Sequence, residues 1–176
     1  MPETHCPEPD SVLVAAVRRG DERAIAVVYE RYGGQLLRLL ARLLGSREDA
    51  EDALHDLFVG LPEGLSRYQH QDHFGGWLRR VAARLALMRL RADRRHPHIS
   101  LDGLATLDRL PVNAGDGTDI ERALAKLDFK LRMVFVLYHV EGFSHAEIAS
   151  LVGITSGASR VRLSRAVASL RAKLTP

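Results

Sequence analysis

Apolar residues recur at helical spacing along most of the chain, and no stretch shows the sustained alternation that indicates a β-strand. Three apolar stripes lie in the N-terminal half, and each has the period of one face of an amphipathic helix. They consist of Ile25, Val28, Tyr29, Tyr32, Leu36, Leu39, Leu40 and Leu43; of Ala50, Ala53, Leu54, Leu57, Phe58 and Leu61; and of Phe74, Trp77, Leu78, Val81, Ala82 and Leu85. Three or four such helices can enclose one core. The pattern predicts an all-α N-terminal block.

The helical pattern breaks in the segment that follows, where prolines and glycines separate short leucine-containing pieces. The breaking residues are Pro97, Gly103, Pro111, Gly115 and Gly117. Such composition is typical of a linker. Helical periodicity then resumes and continues almost to the end of the chain. The sequence therefore predicts two small all-α domains, 1–95 and 118–176, joined by a flexible linker over 96–117.

A helix-turn-helix pattern lies in the second block. Ser144 and Glu147 have the spacing of a capping box, which marks the start of a helix. Gly153 suits the left-handed turn that ends that helix. Either Thr155 or Ser156 then caps a further helix. Two helices separated by a short turn with glycine are the helix-turn-helix layout.

The last helix carries a polar face opposite its apolar stripe. Arg160, Val161, Ser164 and Arg165 share that face by their i, i+1, i+4, i+5 spacing. Arginine can contact phosphates and can read guanine in the major groove. A solvated surface helix is the alternative. Together with the cap and the turn glycine, the basic face favours DNA binding.

Composition and charge narrow the class of protein. The chain has 176 residues, of which 46% are hydrophobic and 27% charged, as in globular proteins. No apolar run reaches the ~18 residues of a membrane span. One cysteine, Cys6, excludes an intramolecular disulfide. We therefore expect a soluble, cytoplasmic protein without membrane insertion.

The net charge of +3 is unevenly distributed. Residues 77–95 hold seven arginines and one aspartate, and residues 156–174 hold five basic residues and no acidic one. Clustered cations on helices suit a polyanionic partner.

Catalytic and metal-binding chemistry finds no support in the sequence. There is no glycine-rich phosphate loop, nucleophile elbow or nameable Ser/His/Asp set. His70 and His73 are spaced i, i+3, and His96 and His98 flank a proline, but no further ligands accompany them. We expect neither an enzyme nor a bound cofactor or metal.

The two blocks resemble, in order, regions 2 and 4 of bacterial RNA polymerase sigma factors of the extracytoplasmic-function (ECF) group. The first block carries Tyr29-Glu30-Arg31-Tyr32, Arg47-Glu48-Asp49-Ala50-Glu51-Asp52, Asp56-Leu57-Phe58, Phe74, Trp77-Leu78 and Arg80-Val81-Ala82. The second carries Arg132-Met133-Val134-Phe135, Glu141-Gly142-Phe143-Ser144-His145-Ala146-Glu147-Ile148-Ala149, Gly153-Ile154-Thr155 and Arg162-Leu163-Ser164-Arg165-Ala166. Two blocks in this order are more specific than a lone helix-turn-helix.

The resemblance implies binding to core RNA polymerase and to promoter DNA, with an anti-sigma factor as a further partner that would clamp a closed form. It assigns polymerase binding to an acidic helix, through Asp49, Glu51, Asp52 and Asp56. It assigns recognition and melting of the −10 element to Tyr68, Gln69, His70, Trp77, Arg80 and Arg84. It assigns reading of the −35 element to Arg160, Val161, Ser164 and Arg165.

The sequence departs from the family pattern at three sites. His55 stands where glutamine is usual, and Gly75-Gly76 replaces an Arg-Ala type pair. Ser159 replaces a buried valine or isoleucine, which would cost about 1–3 kcal/mol if its hydroxyl had no partner. These departures bear on promoter specificity and on the geometry of −35 recognition.

Two other classes of protein remain as alternatives. A LuxR-like helix-turn-helix regulator would have a similar second block, but its first domain would be unrelated. A helical adaptor that binds only proteins would leave the basic face of the last helix unexplained.

Overall fold

The computed structural model describes residues 9–69, 73–95, 122–124 and 126–174, and these residues contain helices and no β-strand. The predicted all-α class is confirmed. The N-terminal helices are α1 (Asp10–Arg18), α2 (Glu22–Leu44), α3 (Arg47–Val59), α4 (Leu61–Leu65) and α5 (Phe74–Arg95). The C-terminal helices are α6 (Phe129–Phe135), a π-helical turn (Val136–Val140), α7 (His145–Val152) and α8 (Ser156–Leu174). The predicted linker over 96–117 lies outside the described residues.

Local chemistry sets the boundaries of the long N-terminal helices. The Asp21 carboxylate accepts a hydrogen bond from the backbone N–H of Arg23 at 2.9 Å and caps α2. Helix α2 ends at Gly45, whose φ of 82° is left-handed and suits glycine. The Ser46 hydroxyl then accepts from the Asp49 N–H at 3.2 Å and starts α3. A turn of two residues therefore joins α2 to α3.

The predicted apolar stripes form the core of the N-terminal block. Helix α2 packs against α1, α3 and α5, and its inward side chains Leu36, Leu39 and Leu40 are fully buried. Tyr29 departs from its stripe, since half of its surface is exposed, and its ring makes an edge contact with Phe58, with centroids 5.0 Å apart.

A partly buried polar contact joins α1 to α2, and α5 packs against it. The Asp10 carboxylate accepts hydrogen bonds from the Tyr32 hydroxyl at 2.7 Å and from Arg31 at 2.8 Å. Burial, and then Asp10, raise the pKa of Tyr32 to about 12. On its other side the Tyr32 ring approaches Gly75, where an added Cβ would lie 2.9 Å from Tyr32 Cε1. The departure at Gly75 therefore has a packing reason, because α5 approaches an anchored ring.

Replacing Gly75 with alanine is expected to destabilise the chain, whereas replacing Gly76 with alanine is expected to stabilise it. Both positions are helical, so each gains about 0.5–1 kcal/mol of helix propensity. At Gly75 the methyl group overpacks the fixed Tyr32 ring, which costs about 1–3 kcal/mol. At Gly76 the contact is an ordinary one, 3.7 Å from His73 Cβ. Urea unfolding of both variants measures this, and equal stability of the two would contradict it.

The C-terminal block has two apolar contacts. Ala123, Leu124 and Leu127 pack against Ala166 and Leu170 of α8. A second set is continuous with the N-terminal core, so the two blocks pack on each other. Its buried residues are Met133, Val134, Val136, Leu137, Phe143 and Ile148.

Candidate protein and nucleic-acid interfaces

The helix-turn-helix is built as the sequence predicts. The Ser144 hydroxyl accepts from the Glu147 N–H at 3.2 Å, and the Glu147 carboxylate accepts from the Ser144 N–H at 2.9 Å. This reciprocal pair is the predicted capping box. Gly153 ends α7 in the left-handed conformation with φ of 73°. Of the two candidate caps for α8, Thr155 accepts from the Ala158 N–H at 3.1 Å.

The predicted −35 residues share one exposed face of α8. Arg160, Ser164 and Arg165 are exposed, and 51% of the surface of Val161 is exposed. On the opposite side Ala166 is completely buried. Helix α8 contains basic residues and no acidic one. This arrangement can contact phosphates and base edges at once.

Ser159 is fully buried at the start of α8, directly before Arg160. Its hydroxyl lies 2.9 Å from Nδ1 of His145. The cost expected for a buried serine without a partner therefore does not apply, because the first helix of the motif supplies the partner.

The four acidic residues assigned to polymerase binding are exposed on α3. Glu51 pairs with Arg47 at 2.8 Å, and Asp56 pairs with Arg89 of α5. Asp52 lies one turn before Asp56 and has no hydrogen-bond or ion-pair partner in the described part of the chain. Helix α3 therefore presents carboxylates to solvent well beyond its first turn, where the helix dipole would account for them.

The residues assigned to the −10 element differ in their exposure to solvent. Gln69 and Arg84 are exposed, Trp77 is half-buried, and His70 lies outside the described residues. Tyr68 is only 8% exposed. Its ring packs at 5.0 Å from Trp77 and 5.8 Å from Phe74, so its face is covered by the core. A stacking role for Tyr68 would require this cluster to open.

Sequence reasoning missed Arg18, which fixes the chain leading to this region. Its Nε donates to the Leu65 carbonyl at 3.0 Å, and its guanidinium also donates to the Tyr68 carbonyl. An arginine at the end of α1 gives no local signal of a contact about fifty residues away. Arg18 thus positions the residues on which Trp77 packs.

Arginines of α5 contact the helix-turn-helix of the second block. Arg80 forms an ion pair with Glu147, and Arg91 donates to the Val152 carbonyl at 2.8 Å. Hydrogen bonds from the Ser144 backbone first, and then from Arg80, lower the pKa of Glu147 to about 2. The capping box is therefore also a contact between the two blocks.

A second glutamate of the C-terminal block faces the N-terminal block. The Oε2 atom of Glu141 lies 4.0 Å from the Nη1 atom of Arg79. Burial raises the pKa of Glu141, and the positive charges of Arg79, Arg42 and Arg38 act against that rise. Arg80, which the resemblance assigns to the −10 element, is therefore paired with Glu147. The face of α8 assigned to the −35 element is exposed to solvent.

The described residues offer neither a metal-binding cluster nor a membrane-spanning helix. They contain no group of three or more His, Cys, Asp or Glu residues that could hold a metal ion. They also contain no helix that is long and apolar enough to cross a bilayer. Of the histidines considered as ligands, only His73 is described.

Two family models match this chain. The model for sigma-70 region 2 matches residues 28–96, and the model for sigma-70 region 4 matches residues 118–170. Both predicted blocks are therefore matched, in the predicted order.

Similar proteins include the ECF RNA polymerase sigma factor SigM of Mycobacterium tuberculosis, 29% identical over 92% of this chain and 82% of that protein. SigW of Bacillus subtilis, another ECF sigma factor, is 25% identical over 92% of this chain and 94% of that protein. Among solved structures, CnrH in complex with the cytosolic domain of CnrY is similar at a TM-score of 0.58 and 28% identity, covering 94% of this chain and 96% of that one. The sigma factor RpoE of Bartonella quintana, in complex with the anti-sigma factor NepR, shares the fold at a TM-score of 0.62 and 20% identity, covering 83% of this chain and 93% of that one.

Proposed function

The chain belongs to the sigma-70 family, in its ECF group, and we propose on this basis that it binds core RNA polymerase and directs it to promoters. The observation that carries the proposal is the order of the two matched regions, a helical block that contains the acidic helix α3 followed by a basic helix-turn-helix. A LuxR-like regulator, with an unrelated first domain, receives no support from the match to region 2. Strand opening is proposed to draw on binding energy, without an enzymatic reaction. Action on RNA polymerase would place the chain in the cytoplasm.

In this proposal residues 1–95 form the domain that binds polymerase. Asp52 and Asp56, with Asp49 and Glu51, present negative charge to a basic surface of the largest polymerase subunit. Complementary charge speeds correct encounter and fixes register more than it adds affinity. The exposure of Asp52 without an internal partner supports this role.

The DNA contacts are proposed to come from both domains. Residues 118–176 would read the −35 element through Arg160, Val161, Ser164 and Arg165 in the major groove. Gln69, His70, Trp77, Arg80 and Arg84 would hold the −10 strand as it separates, with arginines on phosphates and Trp77 against a base. Tyr68 is proposed to support Trp77 from the core until that strand arrives.

Co-migration with core RNA polymerase tests the proposed function. The purified chain and bacterial core polymerase are mixed and separated by size exclusion. The chain is expected to elute with polymerase. A folded chain that elutes alone would contradict the proposal, if a variant whose two blocks are separated also elutes alone.

The contacts between the blocks support a closed form of the free chain, as the family resemblance implies. Glu141 and Glu147 face arginines that the −10 strand would otherwise contact. We infer that polymerase and DNA compete with these glutamates for Arg79 and Arg80. An anti-sigma factor could hold the same closed form.

The variant Arg79→Ala,Arg80→Ala is expected to speed proteolysis of the segment 96–117 severalfold in the free chain, because the blocks separate more often. Thermolysin suits this test, since it cleaves at apolar residues and the substitutions remove none of its sites. Arg84→Ala is the matched control, because Arg84 is exposed and has no hydrogen bond or ion pair with the second block among the described residues. Equal cleavage rates in all three proteins would contradict the closed form.

A further inference from the structure

His145 is held on two sides at the first position of α7. Its Nδ1 lies 2.9 Å from the buried Ser159 hydroxyl. Its ring stacks on Tyr138 of the π-helical turn, with centroids 4.6 Å apart and an interplanar angle of 21°. A side chain restrained by both a hydrogen bond and a ring contact has a fixed orientation.

The same imidazole lines an open groove of about 390 Å³ along α8. The groove includes Arg160 and Ser164, two of the residues assigned to −35 DNA. Its other lining residues are His139, Leu163, Val167, Ala168 and Arg171. Among the described residues, no carboxylate lines it. A surface whose described residues offer arginines, histidines and a hydroxyl suits an anionic ligand such as a DNA phosphate.

The contact with Ser159 fixes which imidazole nitrogen carries the proton of the neutral ring. The Ser159 hydroxyl has no other acceptor among the described residues, so it donates to Nδ1 of His145. The proton of the neutral imidazole is then on Nε2. In the imidazolium form Nδ1–H would donate to the serine oxygen, and Nε2–H would remain a donor. In both charge states, therefore, the nitrogen opposite Ser159 can donate a hydrogen bond.

We propose that His145 is a further contact to the −35 element, donating from Nε2 to a backbone phosphate, and that Ser159 is its positioning residue. The inference rests on the proposed role of α8 in −35 recognition. It assigns a use to the departure at Ser159, because a valine or isoleucine there could not orient the imidazole. A phosphate contact is independent of base sequence, so His145 sets affinity and register, and Arg160 and Arg165 read bases.

The test uses the full chain with core polymerase and a fluorescent duplex enriched by the wild-type complex from genomic fragments. Anisotropy gives the Kd. His145→Ala is expected to weaken binding by about three- to tenfold, which is the net contribution of one ordinary hydrogen bond. His145→Gln retains a neutral donor, so its Kd is expected to stay near wild type. His139→Gln, in the same groove, is expected to keep the wild-type Kd.

Ser159→Val examines the positioning role separately. It fills the buried site with an apolar side chain, so its melting temperature is expected to stay close to that of the wild type. Its Kd for DNA is expected to rise as much as the Kd of His145→Ala. A wild-type Kd for Ser159→Val would refute the positioning role.

Two further outcomes separate this inference from the proposed function. If His145→Ala binds normally and Arg160→Ala binds weakly, the inference is overturned and the −35 role of α8 stands. If neither variant weakens binding, the −35 role itself fails. Should His145→Ala not fold, His145→Phe decides, because it keeps a ring beside Tyr138 but has no donor, and a wild-type Kd for this variant refutes the contact.

Discussion

The variant Asp52→Arg,Asp56→Arg is expected to lose affinity for core RNA polymerase by about 100-fold or more, since like charges opposed across an interface cost several kcal/mol. Both carboxylates are exposed on α3, one helical turn apart. Asp52 has no partner within the described residues, so its replacement disturbs no internal contact. Anisotropy of a labelled chain titrated with core polymerase measures the loss.

Asp56 requires a separate control because it pairs with Arg89 of α5. Arg89→Ala removes that ion pair and a hydrogen bond to the Asp49 carbonyl, but it leaves all four carboxylates in place. A surface ion pair contributes only up to about 1 kcal/mol of stability. Arg89→Ala is therefore expected to bind polymerase like the wild type. Glu63→Arg is the matched charge reversal, because Glu63 is exposed on α4, outside the acidic helix. Loss of affinity in Glu63→Arg equal to that in the double variant would contradict a specific α3 contact.

The variant Arg160→Ala,Arg165→Ala is expected to reduce binding of the polymerase complex to its enriched duplex by about 100-fold, while binding to core polymerase is unchanged. A well-placed arginine–guanine contact discriminates by about 1–3 kcal/mol, and two such residues share the exposed face of α8. Their exposure means that their loss removes little internal packing.

Competition with a scrambled duplex separates base reading from charge. If the two arginines read bases, the variant loses the preference for the enriched duplex. If they contact only phosphates, both duplexes weaken equally and the salt dependence decreases. Lys173→Ala is the control for net charge, since Lys173 is exposed in the last turn of α8 and outside the reading face. An unchanged preference in the arginine variant would place recognition elsewhere.

Local sequence patterns predicted the elements of the fold well. The capping box at Ser144 and Glu147 and the glycine at the end of α7 depend on residues at most three apart, and both are confirmed. The apolar stripe of α2 likewise predicts its buried face, because helical period alone fixes which side chains share a side. Tyr29 is the exception. It lies at the edge of the stripe, where burial depends on how far the neighbouring helices extend over the side chain.

Contacts between distant residues could not be predicted in this way. The pair His145 and Ser159 joins two helices, and the pair Arg80 and Glu147 joins two blocks across 67 residues of sequence. Nothing in either residue's neighbourhood indicates its partner. Burial of the Tyr68 ring has the same origin, since Phe74 and Trp77 cover it from another helix. The π-helical turn after Phe135 also had no signal in the periodicity.

Mapping of transcription starts tests the central claim most directly. Core polymerase, with and without the chain, transcribes a library of genomic fragments, and the 5′ ends of the transcripts are sequenced. We predict discrete starts that require the chain and that share two short upstream sequence blocks at fixed spacing, with Arg160→Ala,Arg165→Ala losing dependence on the distal block. Starts that are identical with and without the chain would contradict its assignment as a promoter-recognition subunit.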